Sequence, residues 1–324
     1  MNTRITYLLT AGATALALCA VAAAQTESYP VKPVRIIAPF PPGGSVDTVA
    51  RMIATRLAES YGQQFVIDNR SGASGSIGME LAATALPDGY TLVVNTLPLV
   101  TNQFLYKKVP YDPLRDFVAI SLLTGTGAAL VVHPSVPAKS VRELVQLAKT
   151  RGDSLNYGTA GAGTNPHIAG ELFNYLGKIN INAVHFKGGG PATIATLSGE
   201  ISMGFSTIPT TLGYLHAGRL RALGVTTDKR APQLPDVPTI AETLPGYEFS
   251  TWQGILAPKN TPRAIVDALA ARIKKALVAG DTAKRLSDSG FDVIASTPDE
   301  FAAYLKLESD KWGKVLRERG FKPQ

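Results

Sequence analysis

The chain has 324 residues, with 32 Lys and Arg against 25 Asp and Glu, a formal charge of +7 and a single cysteine. That length suits two domains with ample core. The basic residues form no run of four or more, which argues for mild attraction of anions rather than a nucleic-acid track, and one cysteine rules out an internal disulfide framework.

Residues 1–24 read as a cleaved signal peptide. Arg4 supplies the charge, Ile5 to Ala20 the apolar core, and Ala22-Ala23-Ala24 a small-residue cleavage site before Gln25. The alternative is a membrane anchor, but the run is alanine-rich and broken by Thr10, Gly12 and Thr14. Leu18 ahead of Cys19 speaks against lipid attachment. Later apolar stretches are too short or too polar to span a bilayer. The expectation is a periplasmic protein that does not itself span the membrane.

Val34-Arg35-Ile36-Ile37-Ala38 is β-branched enough for a strand. The turn that follows contains Phe40, Pro41, Gly43 and Gly44. Val46, Val49, Ala50, Ile53, Ala54 and Leu57 then fall on one helical stripe as far as Tyr61, where Gly62 stops it, and Ser45 is the expected cap. The first turn of such a helix has amides without internal partners and the positive end of the dipole, and glycines let a ligand approach the backbone. No Lys follows the glycines and the Gly-x-Gly-x-x-Gly order is missing, so a carboxylate fits better than a phosphate or dinucleotide. The plain alternative is a strand-to-helix turn with no ligand.

Phe65-Val66-Ile67 is a strand, Asn69 to Ser76 a small-residue turn, and about Ile77 to Ala85 a helix. Pro87-Asp88-Gly89 turns the chain into a strand at Tyr90–Val94 whose exit carries Asn95 and Thr96. Open α/β sheets bind ligands at that end of a strand, although both residues are also ordinary turn formers. An irregular crossing at 109–113 leads to two expected strands, at 118–123 and 128–132. Ser140 and Glu143 form a capping box for a helix to Lys149.

A second glycine turn follows the strand end at Leu155-Asn156-Tyr157. It contains Gly158, Thr159, Ala160, Gly161, Gly163 and Thr164, and Pro166 opens a helix with Ala169, Leu172, Phe173 and Leu176 on its apolar face. Two such helix starts facing each other across a cleft would grip both ends of a small anion. A strand at 183–186, a turn at 188–190 and a helix from Pro191 come next. The strand at 201–205 exits at Ser206-Thr207 into a helix to about His216, and 220–225 is another strand. After a Pro-rich loop at 228–238, a strand at 249–256 holds Trp252. Thr261-Pro262 starts a helix to about Val278, and Thr297-Pro298-Asp299-Glu300 starts the last, to Gly320. Strands alternating with helices at this density imply an α/β fold with mainly parallel pairing.

Catalysis has little support: there is no Gly-x-Ser-x-Gly elbow, no His-Glu-x-x-His helix and no thiol after the leader. The four histidines show no metal spacing. His167 stands out because it lies just inside the second helix start. Asp47, in the first turn of the first, either complements the dipole in a structural or gating role or contacts the ligand. Neither cofactor nor metal is expected.

Together these motifs resemble the periplasmic solute receptors of tripartite tricarboxylate transporters, the Bug family. The matching residues include Tyr29-Pro30-x-Lys32-Pro33-Val34-Arg35, Pro39-Phe40-Pro41-x-Gly43-Gly44, Asn69-Arg70, Pro87-Asp88-Gly89-Tyr90-Thr91-Leu92 and Pro110-Tyr111-Asp112-Pro113. They continue through Leu155-Asn156-Tyr157-Gly158, Gly170-Glu171-Leu172-Phe173, Gly218-Arg219-Leu220-Arg221, Leu234-Pro235-Asp236-Val237-Pro238 and Lys311-Trp312-Gly313-Lys314. The resemblance implies a two-lobed, type II-like clamshell, each lobe a mainly parallel sheet flanked by helices. It divides the chain into residues 25–125 plus 253–324 and 126–252, with crossings near 124–130 and 249–254. It further implies a receptor that holds a carboxylate through backbone amides and waters of the two glycine turns; the chain is expected to be monomeric, with a dicarboxylate or an aromatic acid as candidate ligand. Asp47 would meet an amino or amide group where the ligand has one, and the membrane subunits of the transporter would be the partners. Phe40 or Phe186 would flank an apolar middle. The chain departs from the pattern at Ser206-Thr207 (commonly Asp-Asn), His185-Phe186 (Pro-Tyr) and Asn165-Pro166 (Ser-Gln). A ligand-presenting sensor and an exported α/β enzyme are the other classes.

Overall fold

The computed structural model describes residues 29–151, 154–278 and 281–318. The leader read at 1–24 and the helix end expected at Gly320 lie outside these residues.

Strand β1 (Val34–Ala38) pairs in parallel with β2 (Phe65–Asn69) and β3 (Thr91–Asn95). Helix α1 (Ser45–Tyr61) joins β1 to β2 and buries the predicted stripe of Val46, Val49, Ala50, Ile53, Ala54 and Leu57. Gly62 takes the left-handed conformation at its end, and its N–H reaches Ala58 O. The cap differs from expectation: Gly44 is the N-cap, no side chain caps the helix, and Ser45 is its first residue. A short 3-10 turn (Ala73–Gly75) and α2 (Ser76–Ala83) join β2 to β3.

After β3 the chain forms α3 (Pro98–Leu105), which the sequence reading did not foresee. The strands expected at 118–123 and 128–132 are one 16-residue strand, β4 (Phe117–Val132). The segment between them, Thr124-Gly125-Thr126-Gly127, reads locally as a break, but its ladder to β9 (Ser250–Pro258) holds it extended. Helix α4 (Val141–Arg151) shows half of its expected capping box: Glu143 N–H donates to Ser140 Oγ at 3.1 Å, while Glu143 Oε2 accepts not from Ser140 but from Lys139 N–H, one residue before the cap, at 2.7 Å. Then follow β5 (Asn156–Thr159), α5 (Asn165–Gly177), β6 (Asn182–His185), α6 (Gly189–Leu197), β7 (Met203–Thr207), α7 (Ile208–His216) and β8 (Arg221–Val225). The chain after β9 adds α8 (Arg263–Val278), two short elements missed from sequence, α9 (Thr282–Asp288) and β10 (Asp292–Val293), and α10 (Pro298–Glu318).

The strand order is β2-β1-β3-β9-β4-β7-β5-β6, with β8 and β10 also on β4. Pairing is parallel in the outer strands, where βα units feed one another, and antiparallel in the middle. The middle differs because β4 and β9 are crossings rather than links of a βαβ unit. Up to Gly127, β4 pairs with β9; from Ala128 it pairs with β7 and β8. One strand thus threads both halves of a two-lobed α/β clamshell. Helix α10 fastens onto β9: Trp252 and Trp312 each donate their indole N–H to the buried Glu308 Oε2 at 3.1 Å.

Candidate ligand-binding site

The two glycine turns open on one cavity of about 80 Å³. Gly44, Ser45 and Val46 line it from the start of α1, and Thr164, Asn165 and Pro166 from the start of α5. Three more helix starts reach the same wall: Pro98 of α3, Gly189 of α6, and Thr207, the N-cap of α7. First-turn amides have no intrahelical partner, and each dipole adds roughly half a positive charge. No Asp, Glu, Lys, Arg or His is among the lining residues. The positive field of the cavity therefore comes from backbone, and Phe40, Pro41, Ala128, Ala160, Phe205 and Phe249 supply its apolar wall. Such a site suits an anion with an apolar body.

Of the residues singled out from sequence, Phe40, Pro41, Gly44, Ser45, Thr96, Ala160, Thr164, Ser206 and Thr207 lie on this wall. Gly43, Asp47, Asn95, Thr159, Gly161, Gly163 and His167 do not; all but Asn95, which ends β3, bond within the two turns. Gly43 N–H donates to Asp47 Oδ2 at 3.0 Å, and Gly163 N–H donates to His167 Nδ1 at 2.9 Å. In both turns the third helical residue accepts from the residue just before the cap.

Asp47 is 3% exposed and also accepts from Arg51 Nε at 3.0 Å and Asn69 Nδ2 at 2.9 Å. Burial alone raises its pKa, but the hydrogen bonds from Arg51, Asn69 and Gly43 outweigh burial and hold it below the ordinary carboxylate value. His167 packs edge-on against His185 with ring centroids 5.0 Å apart. Desolvation first, and His185 second, lower its pKa to about 4, so it is neutral near neutral pH. Thr159 Oγ1 bonds His185 Nδ1 at 2.6 Å and accepts from Gly161 N–H at 3.2 Å. Asn95 Oδ1 turns back to accept Thr96 N–H at 2.8 Å.

The second turn also docks on the other half of the molecule. Ser74 Oγ donates to Ala162 O at 2.8 Å, Tyr106 Oη to the same oxygen at 3.2 Å, and Thr101 Oγ1 to Gly163 O at 3.1 Å. Several wall residues escaped the sequence reading. Gly189 and Thr193 belong to the run read as a turn at 188–190 and a helix from Pro191; the helix starts at Gly189, and its start behind glycines was not taken as part of the site. Thr251 and Phe205 are brought in by sheet pairing, and Phe249 by its place just before β9, which no local pattern reports. Phe186, expected as an apolar flank, is not among the wall residues, and Phe205 and Phe249 stand there instead.

Fold and cavity together define a two-lobed solute-binding protein. The chain belongs to the tripartite tricarboxylate transporter receptor family, whose family model matches residues 49–321. It is similar to the solved structure of R. palustris Rpa4515 with adipate, at TM-score 0.89 and 36% identity, covering 91% of this chain and 100% of that one. The periplasmic binding protein BugD matches at TM-score 0.88 and 30% identity, covering 91% and 100%. MatC from Rhodopseudomonas palustris with bound malate matches at TM-score 0.84 and 34% identity, covering 89% and 100%. No helix among the described residues is long and apolar enough to cross a membrane.

Proposed function

We propose that this protein is exported to the periplasm after cleavage near Ala24, captures a small carboxylate between its lobes as a monomer, and delivers it to transporter membrane subunits. One observation carries the reading: a cavity free of charged side chains and ringed by helix N-termini. Each charge-assisted bond from a preformed amide contributes on the order of 1.5–3 kcal/mol. The adipate and malate bound by the two related proteins favour a linear dicarboxylate held at both ends. The wall residues named above are the proposed contacts, with Gly43, Asp47, Thr159, Gly161, Gly163 and His167 shaping the turns and Asn95 fixing Thr96.

The proposed lobes are 25–125 plus 253–324, and 126–252, hinged near 124–130 and 249–254. The partner change of β4 between Gly127 and Ala128 supports that division. The reading is non-catalytic, supported by a wall without a titratable group to serve as general acid or base. A thermal-shift screen over mono-, di- and tricarboxylates tests it. A true ligand at 100 times its dissociation constant stabilises by about 2.7 kcal/mol, a clear rise in midpoint. No shift with any carboxylate would overturn the reading.

A further inference from the structure

Asn165 is the first residue of α5, is 9% exposed and lines the cavity. Its Nδ2 donates to Thr96 Oγ1 at 3.1 Å, at the exit of β3, and to Thr251 Oγ1 on β9. Those two hydroxyls lie 3.0 Å apart and bond each other. Both hydrogens of the amide nitrogen are thus committed, and because the hydroxyls bond each other only one hydroxyl proton is left over, so the reversed amide would make one bond where this orientation makes two. Its Oδ1 has no partner among the described residues.

A buried acceptor without a donor is rare and destabilising. A carboxylate, itself only an acceptor, cannot satisfy it; a ligand O–H or N–H can. Among the described residues the other unpartnered buried side-chain atoms are Tyr61 Oη, Asn95 Nδ2, Asn102 Oδ1 and Gln253 Nε2, and their residues are not on the wall. Asn165 combines an unmatched acceptor with a place in the cavity.

We propose that Asn165 determines specificity within the carboxylate class, selecting acids that carry a hydrogen-bond donor, a hydroxyl or an amide N–H, beside the carboxylate held by the helix starts. This rests on the carboxylate reading above and narrows its substrate class. The mechanism is subtractive: an acid without the donor leaves Oδ1 buried and unmatched in the closed complex, whereas an acid with it completes the network of Asn165, Thr96 and Thr251.

Calorimetric titration of matched acids tests the proposal: butanedioate against 2-hydroxybutanedioate, and hexanedioate against 2-hydroxyhexanedioate. Wild type is expected to bind the hydroxylated member of at least one pair about tenfold or more tighter. Asn165→Leu, close in volume but without the acceptor, is expected to bring the pair within about twofold while the plain acid still binds. The ratio within a pair is the readout, because a merely structural lesion weakens both members alike. Should the leucine variant fail to fold by circular dichroism, Asn165→Ala is read in its place, with the same collapse of the ratio expected. Equal affinities in wild type, or a preference that survives the substitution, would overturn the inference and leave the carboxylate reading intact. A preference for the plain acid that vanishes in Asn165→Leu would also overturn it, by showing the amide donating to the carboxylate. If none of the four acids binds, the dicarboxylate reading falls and takes the inference with it.

Discussion

The two glycine turns are built to one plan with opposite chemistry. Each sits between a strand and a helix, and in each the third helical residue accepts the N–H of the residue before the cap. The adjacent parallel strand ends beside that acceptor in both, at Asn69 and at His185. The first acceptor is an anion, Asp47, with Arg51 one helical turn on at 3.0 Å. The second is a neutral imidazole, His167, with Glu171 one turn on at 3.9 Å. The plan teaches that these acceptors hold the turns in shape, so that other amides are left for a ligand. Neither acceptor lines the cavity.

The comparison breaks most visibly at the glycines themselves. Gly43 has φ 88° and a Cβ there would meet nothing within 4 Å; Gly163 has φ 75° and a Cβ there would collide with the Leu105 side chain. Gly43→Ala is expected to cost about 1–3 kcal/mol from backbone strain alone, and Gly163→Ala roughly 2–6 kcal/mol because overpacking adds to strain. Urea denaturation of both variants measures the difference, and equal losses would contradict the docking of the second turn on α3.

Removing either acceptor is the next largest effect. His167→Ala strands the buried N–H of Gly163 at about 1–3 kcal/mol, whereas Asp47→Ala leaves the N–H of the exposed Gly43 to water and costs about 0.5–1.5 kcal/mol for that bond. Asp47→Asn is expected to leave carboxylate affinity within about threefold, less than one hydrogen bond to a charged group. A larger loss in titration would return Asp47 to the ligand.

Acid separates the turns further. His167 has a folded pKa of about 4 against an ordinary 6.5, so the unfolded chain binds the proton first. Stability of the unliganded protein is therefore expected to fall as pH drops from 6.5 to about 4, by at most about 1.4 kcal/mol per pH unit from this residue. Burial lowers His185 as well, which acts in the same direction. Asp47, held below its ordinary 3.8, contributes stability above that pH and loses it only as pH falls through its lower folded value. His167→Gln keeps an acceptor for Gly163 N–H and should flatten the slope between pH 6.5 and 4 in thermal melts; an unchanged slope would place the titration elsewhere. The smallest effect belongs to Arg51→Ala, within about 1 kcal/mol, because its side chain is 54% exposed.

Much of the first turn was legible in sequence because its signals are local. β-Branched residues, two glycines and an apolar stripe of helical period lie within about thirty residues of one another, and α1 follows them from Ser45 to Tyr61. The second turn was legible on the same terms. The cap at Ser45 was misplaced by one residue because a serine beside glycines looks like the better cap, whereas the backbone turns at Gly44. The continuity of strand β4 and the helix α3 were not legible: the first depends on a partner more than a hundred residues away, and the second lies in a span to which the sequence reading assigned no element. Thr251 reaches the cavity by that same long-range pairing, and Phe249, just before β9, is held by its N–H on Thr226 O.

Backbone amide resonances of the deuterated, 15N-labelled protein provide the most direct measurement. During titration with hexanedioate or 2-hydroxybutanedioate, the amides of Gly44, Ser45 and Val46 should move along with those of Thr164 and Asn165, saturating at one equivalent. Movement confined to one turn, or saturation at different ligand concentrations for the two, would contradict a single carboxylate ligand gripped from both sides.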